Sequence, residues 1–229
     1  NYIIKTNAFD SCTNLTSFTT SSKVKLIGDN AFYGCSSLET VFLSASENLD
    51  SIGYSCFYNC IKLKTVEFNA NLTSIGNSAF QLCKMLNSIQ IPKKVTIIHM
   101  STFRECASLL TVSLPEKLIT IDTYAFGECI SLSSIILPSS LSSIGSSAFV
   151  NCIHLNSVEI PSKVRSIESS AFKGCTELST VLLSSGIETI CSSAFSGCIN
   201  LSSINLPSSL TSISSEVFYN CKSLSSFEI

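Results

Sequence analysis

The chain has 229 residues, of which 45% are hydrophobic and 13% charged, and its formal net charge at pH 7 is −2. Nucleic-acid-binding proteins need a basic stripe on their surface, so the scattered basic residues of this weakly acidic chain argue against a nucleic-acid partner. No apolar run approaches the roughly 20 residues that a membrane-spanning helix needs, and we therefore expect no membrane span.

The motif Phe-x-x-Cys-x-x-Leu, in which x is any residue, recurs ten times along the chain. Its Phe residues lie 23 residues apart, except for one spacing of 25. A fixed period of this length is typical of a solenoid, whose short units stack because none can bury its apolar face alone. We predict one solenoid over residues 1–229. The ten residues are Phe9, Phe32, Phe57, Phe80, Phe103, Phe126, Phe149, Phe172, Phe195 and Phe218.

In chain order, each repeat begins with a segment such as residues 134–137. Apolar residues at every second position, here Ile135 and Leu137, predict a short first strand there. A Pro follows this segment in five copies and ends the pairing. A second alternating segment, such as residues 141–144, predicts a short second strand. The prediction is a mainly β solenoid with short parallel strands and little helix. The first strands are centred on Phe18, Val41, Val66, Ile89, Val112, Ile135, Val158, Val181, Ile204 and Phe227.

The segment around the repeated Phe closes each unit, and we predict a short helical or 3₁₀ corner there. The residue before the repeated Cys is Gly or Asn in six of ten copies, which is the preference expected where the backbone reaches positive φ. Those six residues are Gly34, Asn59, Asn151, Gly174, Gly197 and Asn220.

Ten of the twelve cysteines occupy one register of the repeat, while Cys56 and Cys191 lie outside it. Metal sites use paired ligands such as Cys-x₂-Cys, and no such pair is present in the sequence. Cysteines stacked in parallel also point the same way rather than toward each other. We predict buried thiols that act as small hydrophobes, with no metal and no cofactor. Either redox compartment is compatible with this pattern.

The residue before the centre of each first strand is Ser or Thr in every copy, from Ser17 to Ser226. One interpretation is a ligand-binding face of hydroxyls. The other is that stacked Ser and Thr satisfy each other on a pleated surface. We favour the second, because a binding surface should vary between copies and this row does not.

The residue after the centre of each first strand does vary, and strand alternation places it on the same outward face. Exposed apolar residues on such a face, expected at Phe42, Ile136 and Leu182, can mark an interaction surface. A second, weaker candidate row follows the repeated Phe and contains Tyr33, Tyr58 and Tyr219. The candidate partner-binding residues of the first row are Phe42, Glu67, Gln90, Ile136, Glu159, Leu182 and Asn205, and Thr19, Ser113 and Glu228 share its register.

The motif from Leu137 to Leu155 resembles the BspA-like leucine-rich repeat family. It reads Leu-Pro-x-x-Leu-x-x-Ile-Gly-x-x-Ala-Phe-x-x-Cys-x-x-Leu. This family is the Treponema pallidum-type class of leucine-rich repeats. The resemblance covers essentially the whole chain and implies a right-handed, curved superhelix of about ten repeats. Similar proteins are surface or secreted proteins of mucosal bacteria and protists, associated with binding host cells, matrix proteins such as fibronectin and other microbes. The family has no shared catalytic or ligand-binding motif.

An enzymatic function is not expected, because the two histidines, His99 and His154, fall in different registers without a nucleophile motif nearby. The leading hypothesis is a non-catalytic adhesion module at the cell surface or secreted, and its ligand is a protein, for example of the host surface or extracellular matrix. The alternatives are an intracellular, cytoplasmic scaffold for partner proteins and a structural stalk. Glycosylation sequons at Asn14, Asn71 and Asn200 support secretion only weakly, because a composition this rich in Asn, Ser and Thr supplies such sequons by chance.

Both ends of the sequence cut through a repeat, at Ile4 and Phe9 on one side and at Ile229 on the other. Solenoids need polar terminal caps to stay soluble. The sequence therefore predicts either further repeats beyond both ends or self-association through the exposed end units.

Overall fold

The structure, a computed structural model, describes residues 2–228. Within that range it contains short strands joined by turns and no helix. The strands are β1 (Tyr2–Ile4), β2 (Ser17–Thr19), β3 (Val24–Ile27), β4 (Thr40–Phe42), β5 (Ser51–Ile52), β6 (Thr65–Glu67), β7 (Ser74–Ile75), β8 (Ser88–Gln90), β9 (Ile97–Ile98), β10 (Thr111–Ser113), β11 (Thr120–Ile121), β12 (Ser143–Ile144), β13 (Ser157–Glu159), β14 (Ser166–Ile167), β15 (Thr180–Leu182), β16 (Thr189–Ile190), β17 (Ser203–Asn205), β18 (Ser212–Ile213) and β19 (Ser226–Glu228).

Consecutive repeats stack as the rungs of a parallel β-solenoid of about nine turns, which confirms the predicted fold class. First strands pair only with first strands, as in β2–β4–β6 and β13–β15. Second strands pair only with second strands, as in β1–β3–β5–β7 and β14–β16–β18. Since the paired residues occupy the same position in successive repeats, each row of the sequence alignment becomes a row of neighbouring side chains.

The repeated Phe residues form a single stack through the core. Rings of neighbouring rungs lie nearly parallel, with interplanar angles of 4–12° and centroids 5.0–6.0 Å apart. From Phe32 to Phe195 these side chains are completely buried. The stack explains why the position is invariant: a smaller side chain would leave its two neighbouring rings without contacts.

The corner around the repeated Phe is built from β-turns, so the expectation of a helical or 3₁₀ corner is wrong. In the repeat of Phe126, three overlapping bonds link residues three apart, and inter-rung bonds alternate with them. Phe126 N, for example, donates to Ala148 O of the next rung at 2.8 Å. The three turn bonds are Ala125 N to Asp122 O, Gly127 N to Tyr124 O and Cys129 N to Phe126 O, at 3.1, 3.0 and 3.2 Å.

Two residues of every corner have positive φ, and they are what prevents a helix. The residue before each repeated Cys has φ of 56–77°, which confirms the prediction for the six Gly and Asn residues there. A second residue, two before each Phe, also has positive φ, and the sequence did not reveal it. Both are the third residue of a hydrogen-bonded turn, which defines a type II turn. For side chains other than Gly, Asn or Asp this conformation costs about 1–2 kcal/mol.

The first-strand ladder breaks between β6 and β8 and between β15 and β17, and it lacks a strand altogether at residues 134–136, for which one was predicted. The structure assigns no strand there, and β10 and β13 on either side do not pair with this segment. The rung stays in place because its second strand, β12, pairs with β11, and because Phe126 N and Glu128 N donate to the next rung. Strand pairing is therefore not required in every copy, since the corner and the second strand hold the rung.

Eight of the ten repeated cysteines, from Cys35 to Cys198, are buried thiols as predicted, whereas Cys12 is exposed and Cys221 half-buried. The Sγ atom of each one from Cys35 onward donates to the carbonyl oxygen of the repeated Phe in the preceding rung, at 3.1–3.2 Å. A thiol fits this position because it packs as a small hydrophobe and still supplies a weak donor. Burial raises the pKa of these thiols, to about 11 for Cys35 and about 12 for Cys175.

Thiol labelling of the native chain at pH 8 should therefore show few reactive cysteines. The thiolate is the reacting species, so the pKa of about 11 at Cys35 slows its reaction about 100-fold relative to an unshifted thiol. Cys12 is exposed and should react rapidly, whereas only the half-buried Cys191 and Cys221 should follow. Mass spectrometry of alkylated protein measures the order. The Cys12→Ser variant should lose the fast phase, and rapid labelling of more than three thiols would contradict the structure.

Candidate protein-binding surface

The candidate residues lie on the outward side of the first strands, which we call the first-strand face. Glu67, Gln90, Glu159 and Asn205 are exposed there, as strand alternation predicts. Two of the three apolar candidates are also exposed: Ile136 by 87% and Leu182 by 57%. The side chain of Glu228, in the same register, lies outside the described residues.

Phe42 is half-buried, although it was expected to be exposed. Its strand pairs on both sides, and the backbone of Phe42 aligns with Thr19 on one rung and with Glu67 on the next. Side chains on both neighbouring rungs therefore cover part of the ring. Ile136, in contrast, belongs to the unpaired segment at residues 134–136 and stands almost free of its neighbours.

The Ser and Thr row shares this face, but its hydroxyls do not satisfy each other as was expected. Within the described part of the chain, the hydroxyl bonds of this row go to the preceding Asn side chain. Ser88 Oγ donates to Asn87 Oδ1 at 3.2 Å, and Ser157 Oγ donates to Asn156 Oδ1 at 3.1 Å. Neighbouring strands lie about 4.8 Å apart, which is too far for one hydroxyl to reach the next without tilting. The row therefore offers hydroxyls that a partner can use.

Three of the candidate residues meet around an open hollow on this face. The hollow has a volume of about 590 Å³, and Ile136, Glu159 and Leu182 line it together with Pro161. Glu159 and Leu182 are direct partners in the β13–β15 pairing. Phe42 and Glu67 form a second neighbouring pair on β4 and β6, while Gln90 and Asn205 lie on other rungs. The structure thus gathers part of the candidate row into one apolar hollow with a carboxylate.

The first-strand face is acidic. Among the ion pairs of the described residues none includes Glu67 or Glu159, and the two outward rows of the described first strands contain no Lys or Arg. No group of three or more His, Cys, Asp or Glu within residues 2–228 is arranged to hold a metal ion. The chemistry available here is apolar contact, hydroxyl hydrogen bonding and attraction of positive charge.

The histidines and the sequons lie away from this hollow. His154 is exposed, and its Nδ1 lies 3.0 Å from Glu177 Oε1, whereas His99 is half-buried in another register. Asn14 and Asn200 are exposed in the turns after the repeated Cys. The side-chain amide of Asn71 is engaged with the neighbouring rungs, where it donates to a backbone carbonyl and accepts from a lysine.

The sequence matches the family profile described as BspA type Leucine rich repeat region, in six copies that span residues 2–130 and 96–225. The chain belongs to the BspA-type leucine-rich repeat family. This match confirms the resemblance that the repeated Phe-x-x-Cys-x-x-Leu motif indicated. No curated protein sequence matches this BspA-type chain.

Solved structures of bacterial leucine-rich repeat proteins are similar to this BspA-type solenoid. A leucine rich cell surface protein from Faecalibacterium prausnitzii has a TM-score of 0.65 and 27% identity, over 99% of this chain and 76% of that one. A leucine-rich repeat protein from Bacteroides ovatus has a TM-score of 0.54 and 28% identity over the same shares. The T. pallidum leucine rich repeat protein has a TM-score of 0.53 and 25% identity, over 92% and 78% of the two chains.

Membership of this family indicates a protein-binding module. Within residues 2–228 the BspA-type solenoid contains no helix that could cross a membrane.

Proposed function

We propose that this BspA-type solenoid is a non-catalytic adhesion module, displayed at a cell surface or secreted, that binds a protein of a host surface or extracellular matrix. The observation that carries the proposal is the hollow around Ile136, Glu159 and Leu182. Two strongly exposed apolar side chains flank a carboxylate there, in a face otherwise made of hydroxyls and polar groups. The similar cell surface protein of Faecalibacterium prausnitzii supports display outside the cell.

The physical basis of binding is the combination of apolar burial and charge. Covering Ile136 and Leu182 removes apolar area from water, at roughly 25 cal/mol per Å². Glu159 lies between them without an ion pair among the described residues, so a partner that presents Lys or Arg gains a charge-assisted contact. The short, backbone-paired strands β13 and β15 keep Glu159 and Leu182 in place, which limits the entropy lost on binding.

Placing charges in the hollow should abolish adhesion without unfolding the chain. In the Ile136→Lys/Leu182→Lys variant we expect at least a tenfold weaker affinity for immobilised fibronectin, the matrix protein used as probe, or for epithelial cell monolayers. The reason is that two lysines replace the apolar contacts and repel a basic partner. Surface plasmon resonance and cell-binding counts measure the loss.

The matched control is Thr19→Lys/Ser113→Lys, which adds the same charges in the same row at residues that do not line the hollow. It should bind within about twofold of the parent. Equal binding by the hollow variant and the parent would contradict the site. Absence of binding by the parent chain to either probe would overturn the adhesion proposal and favour a scaffold or a stalk.

A further inference from the structure

The large side chains that carry the strain of positive φ are not distributed evenly along the solenoid. Of the twenty corner positions with positive φ, fifteen are Gly, Asn or Ser, residue types that are small or form local hydrogen bonds. Four of the five exceptions fall in three adjacent rungs, and the fifth is Glu216. The four are Leu82, Glu105, Tyr124 and Glu128.

Core packing does not compensate for this strain. Leu82 and Tyr124 are only half-buried, and the side chains of Glu105 and Glu128 are 32% and 35% exposed. The flanking rungs use Asn in place of Leu82, Glu105 and Glu128, and Ser in place of Tyr124, and they keep positive φ there, so the fold does not demand these side chains. Backbone strain that is retained without a packing reason points to a functional surface.

The strained residues flank a row of planar side chains on the corner, which we call the turn ridge. Its members are on consecutive rungs, because Gly34 N donates to Tyr58 O, Asn59 N to Gln81 O, and Leu82 N to Arg104 O, each at 2.8–2.9 Å. The turn ridge consists of Tyr33, Tyr58, Gln81, Arg104 and Tyr124.

Two pairs of planar groups in the turn ridge are stacked between neighbouring rungs. The rings of Tyr33 and Tyr58 are parallel within 5°, with centroids 4.8 Å apart. The guanidinium carbon of Arg104 lies 4.9 Å from the ring centroid of Tyr124. The next residue in the row is Gly127, where an added Cβ would come within 3.2 Å of the Tyr124 ring. Gly127 therefore leaves the space that lets Tyr124 join the ridge.

Ion pairs hold Arg104 in this arrangement. Its Nη2 donates to Glu128 Oε1 at 2.7 Å, and its Nε lies 3.7 Å from Glu105 Oε1. The hydrogen bond to Glu128 raises the pKa of Arg104, so the group stays charged. Because the side chains are fixed before binding, a partner loses little of the ridge's conformational entropy.

The geometry identifies the class of partner. Aromatic faces that bind sugars must be open, but here Tyr33, Tyr58 and Tyr124 each have a ring face covered by a stacked group of a neighbouring rung. Tyr and Arg are the residues enriched at the energetic centres of protein–protein interfaces. The two carboxylates of Glu105 and Glu128 outnumber the single guanidinium of Arg104, which leaves a net negative charge.

We propose that the turn ridge is a second protein-docking surface, separate from the first-strand face, and that it takes a peptide segment in which Lys or Arg stands beside apolar residues. The basic side chain of the partner pairs with Glu105 or Glu128, and its apolar residues cover the edges of Tyr58 and Tyr124 and the side chain of Leu82. The turn ridge lies at the corner of each rung, whereas the hollow lies on the first-strand face.

The test uses a phage-displayed library of random 12-residue peptides, selected on the whole chain that carries Ile136→Lys/Leu182→Lys. These two substitutions remove the hollow, so a failure of the adhesion proposal does not affect the outcome. We expect enriched peptides with Lys or Arg beside apolar residues. Their affinity, measured with synthetic peptides by fluorescence polarisation, should fall at least tenfold when Glu105→Asn/Tyr124→Asn is added.

The same variant separates a binding role from a structural one. Asn suits positive φ, so Glu105→Asn/Tyr124→Asn should unfold at the same temperature as its parent or higher while it loses the peptide. Glu216→Asn relieves the fifth strained residue, and Lys173→Ala changes an exposed residue in the same row as Arg104; both should keep full affinity. Selection of no peptides, or of peptides insensitive to Glu105→Asn/Tyr124→Asn, would overturn the proposal.

Discussion

Raising the pH from 9 to 10 is expected to lower the free energy of unfolding of this solenoid by on the order of 10 kcal/mol. The cause is the column of buried cysteines, whose pKa values are raised because the thiolate cannot be solvated in the core. Nine completely buried thiols contribute: Cys56, outside the column, and Cys35, Cys60, Cys83, Cys106, Cys129, Cys152, Cys175 and Cys198 within it.

The direction follows from proton binding. In the unfolded chain a thiol loses its proton near the ordinary pKa of 9.0, whereas the folded chain keeps it, to about pH 12 at Cys175. The stabilisation is therefore complete below pH 9 and is lost as the pH rises toward the folded pKa. Each thiol contributes about 1.4 kcal/mol per pH unit in that window. Since domains of this kind are stable by about 5–15 kcal/mol, the chain should unfold between pH 9 and 11.

Urea unfolding followed by circular dichroism, at pH 8 to 10.5 under reducing conditions, measures this loss. The control is Cys106→Ala/Cys129→Ala, which removes two of the protons involved. Its free energy of unfolding should fall less steeply above pH 9.5, by about 2.7 kcal/mol per pH unit, whatever its stability at pH 8. A stability that is constant up to pH 11 would show that the thiols are not buried as described.

Replacing Phe126 by Ala should lower the free energy of unfolding by about 3–5 kcal/mol. Phe126 is completely buried, and its ring stacks on Phe103 and Phe149, with both centroids 5.5 Å away. The shorter side chain opens a cavity in the middle of the column. Because a solenoid is held together by contacts between nearest neighbours, the cavity weakens two interfaces at once. Equilibrium unfolding in urea measures the cost.

Phe9→Ala is the matched control for Phe126→Ala. The same side chain is removed, but Phe9 is 37% exposed and stacks on one repeated Phe, Phe32, rather than on two. We therefore expect less than half the loss seen for Phe126→Ala. The central variant should also unfold over a broader range of urea, because the two halves of the solenoid become less coupled. Equal losses at both positions would contradict the nearest-neighbour account.

Much of the fold could be predicted because the repeat makes each contact visible ten times. The spacing of the Phe residues gave the solenoid, and the alternation around Val158 and Ile167 gave its two strand ladders. The corner was misjudged for a local reason. The residue two before each Phe is Ser in six repeats, and Ser signals positive φ much more weakly than Gly or Asn does. Without that second turn, Ala-Phe-x-x-Cys is compatible with a helical corner.

The candidate surface was only partly predictable. Alternation placed Ile136 and Leu182 outward, and the structure agrees. It could not show that residues 134–136 leave the strand ladder, which is what exposes Ile136 almost completely. It also could not show that the neighbours of Phe42 cover part of its ring, because coverage depends on the rungs above and below.

The period, the invariant core and the buried cysteine row follow from the sequence alone, because one 23-residue pattern repeats the same packing demand in every unit. Which side chains of different rows meet depends on the three-dimensional stacking of the rungs. Arg104 reaches Tyr124 across a rung because Gly127 leaves room for the ring. Glu159 meets Ile136 and Leu182 around one hollow because stacking brings residues 23 apart into neighbouring positions. Such contacts depend on the distances between stacked rungs, and a one-dimensional pattern does not contain them.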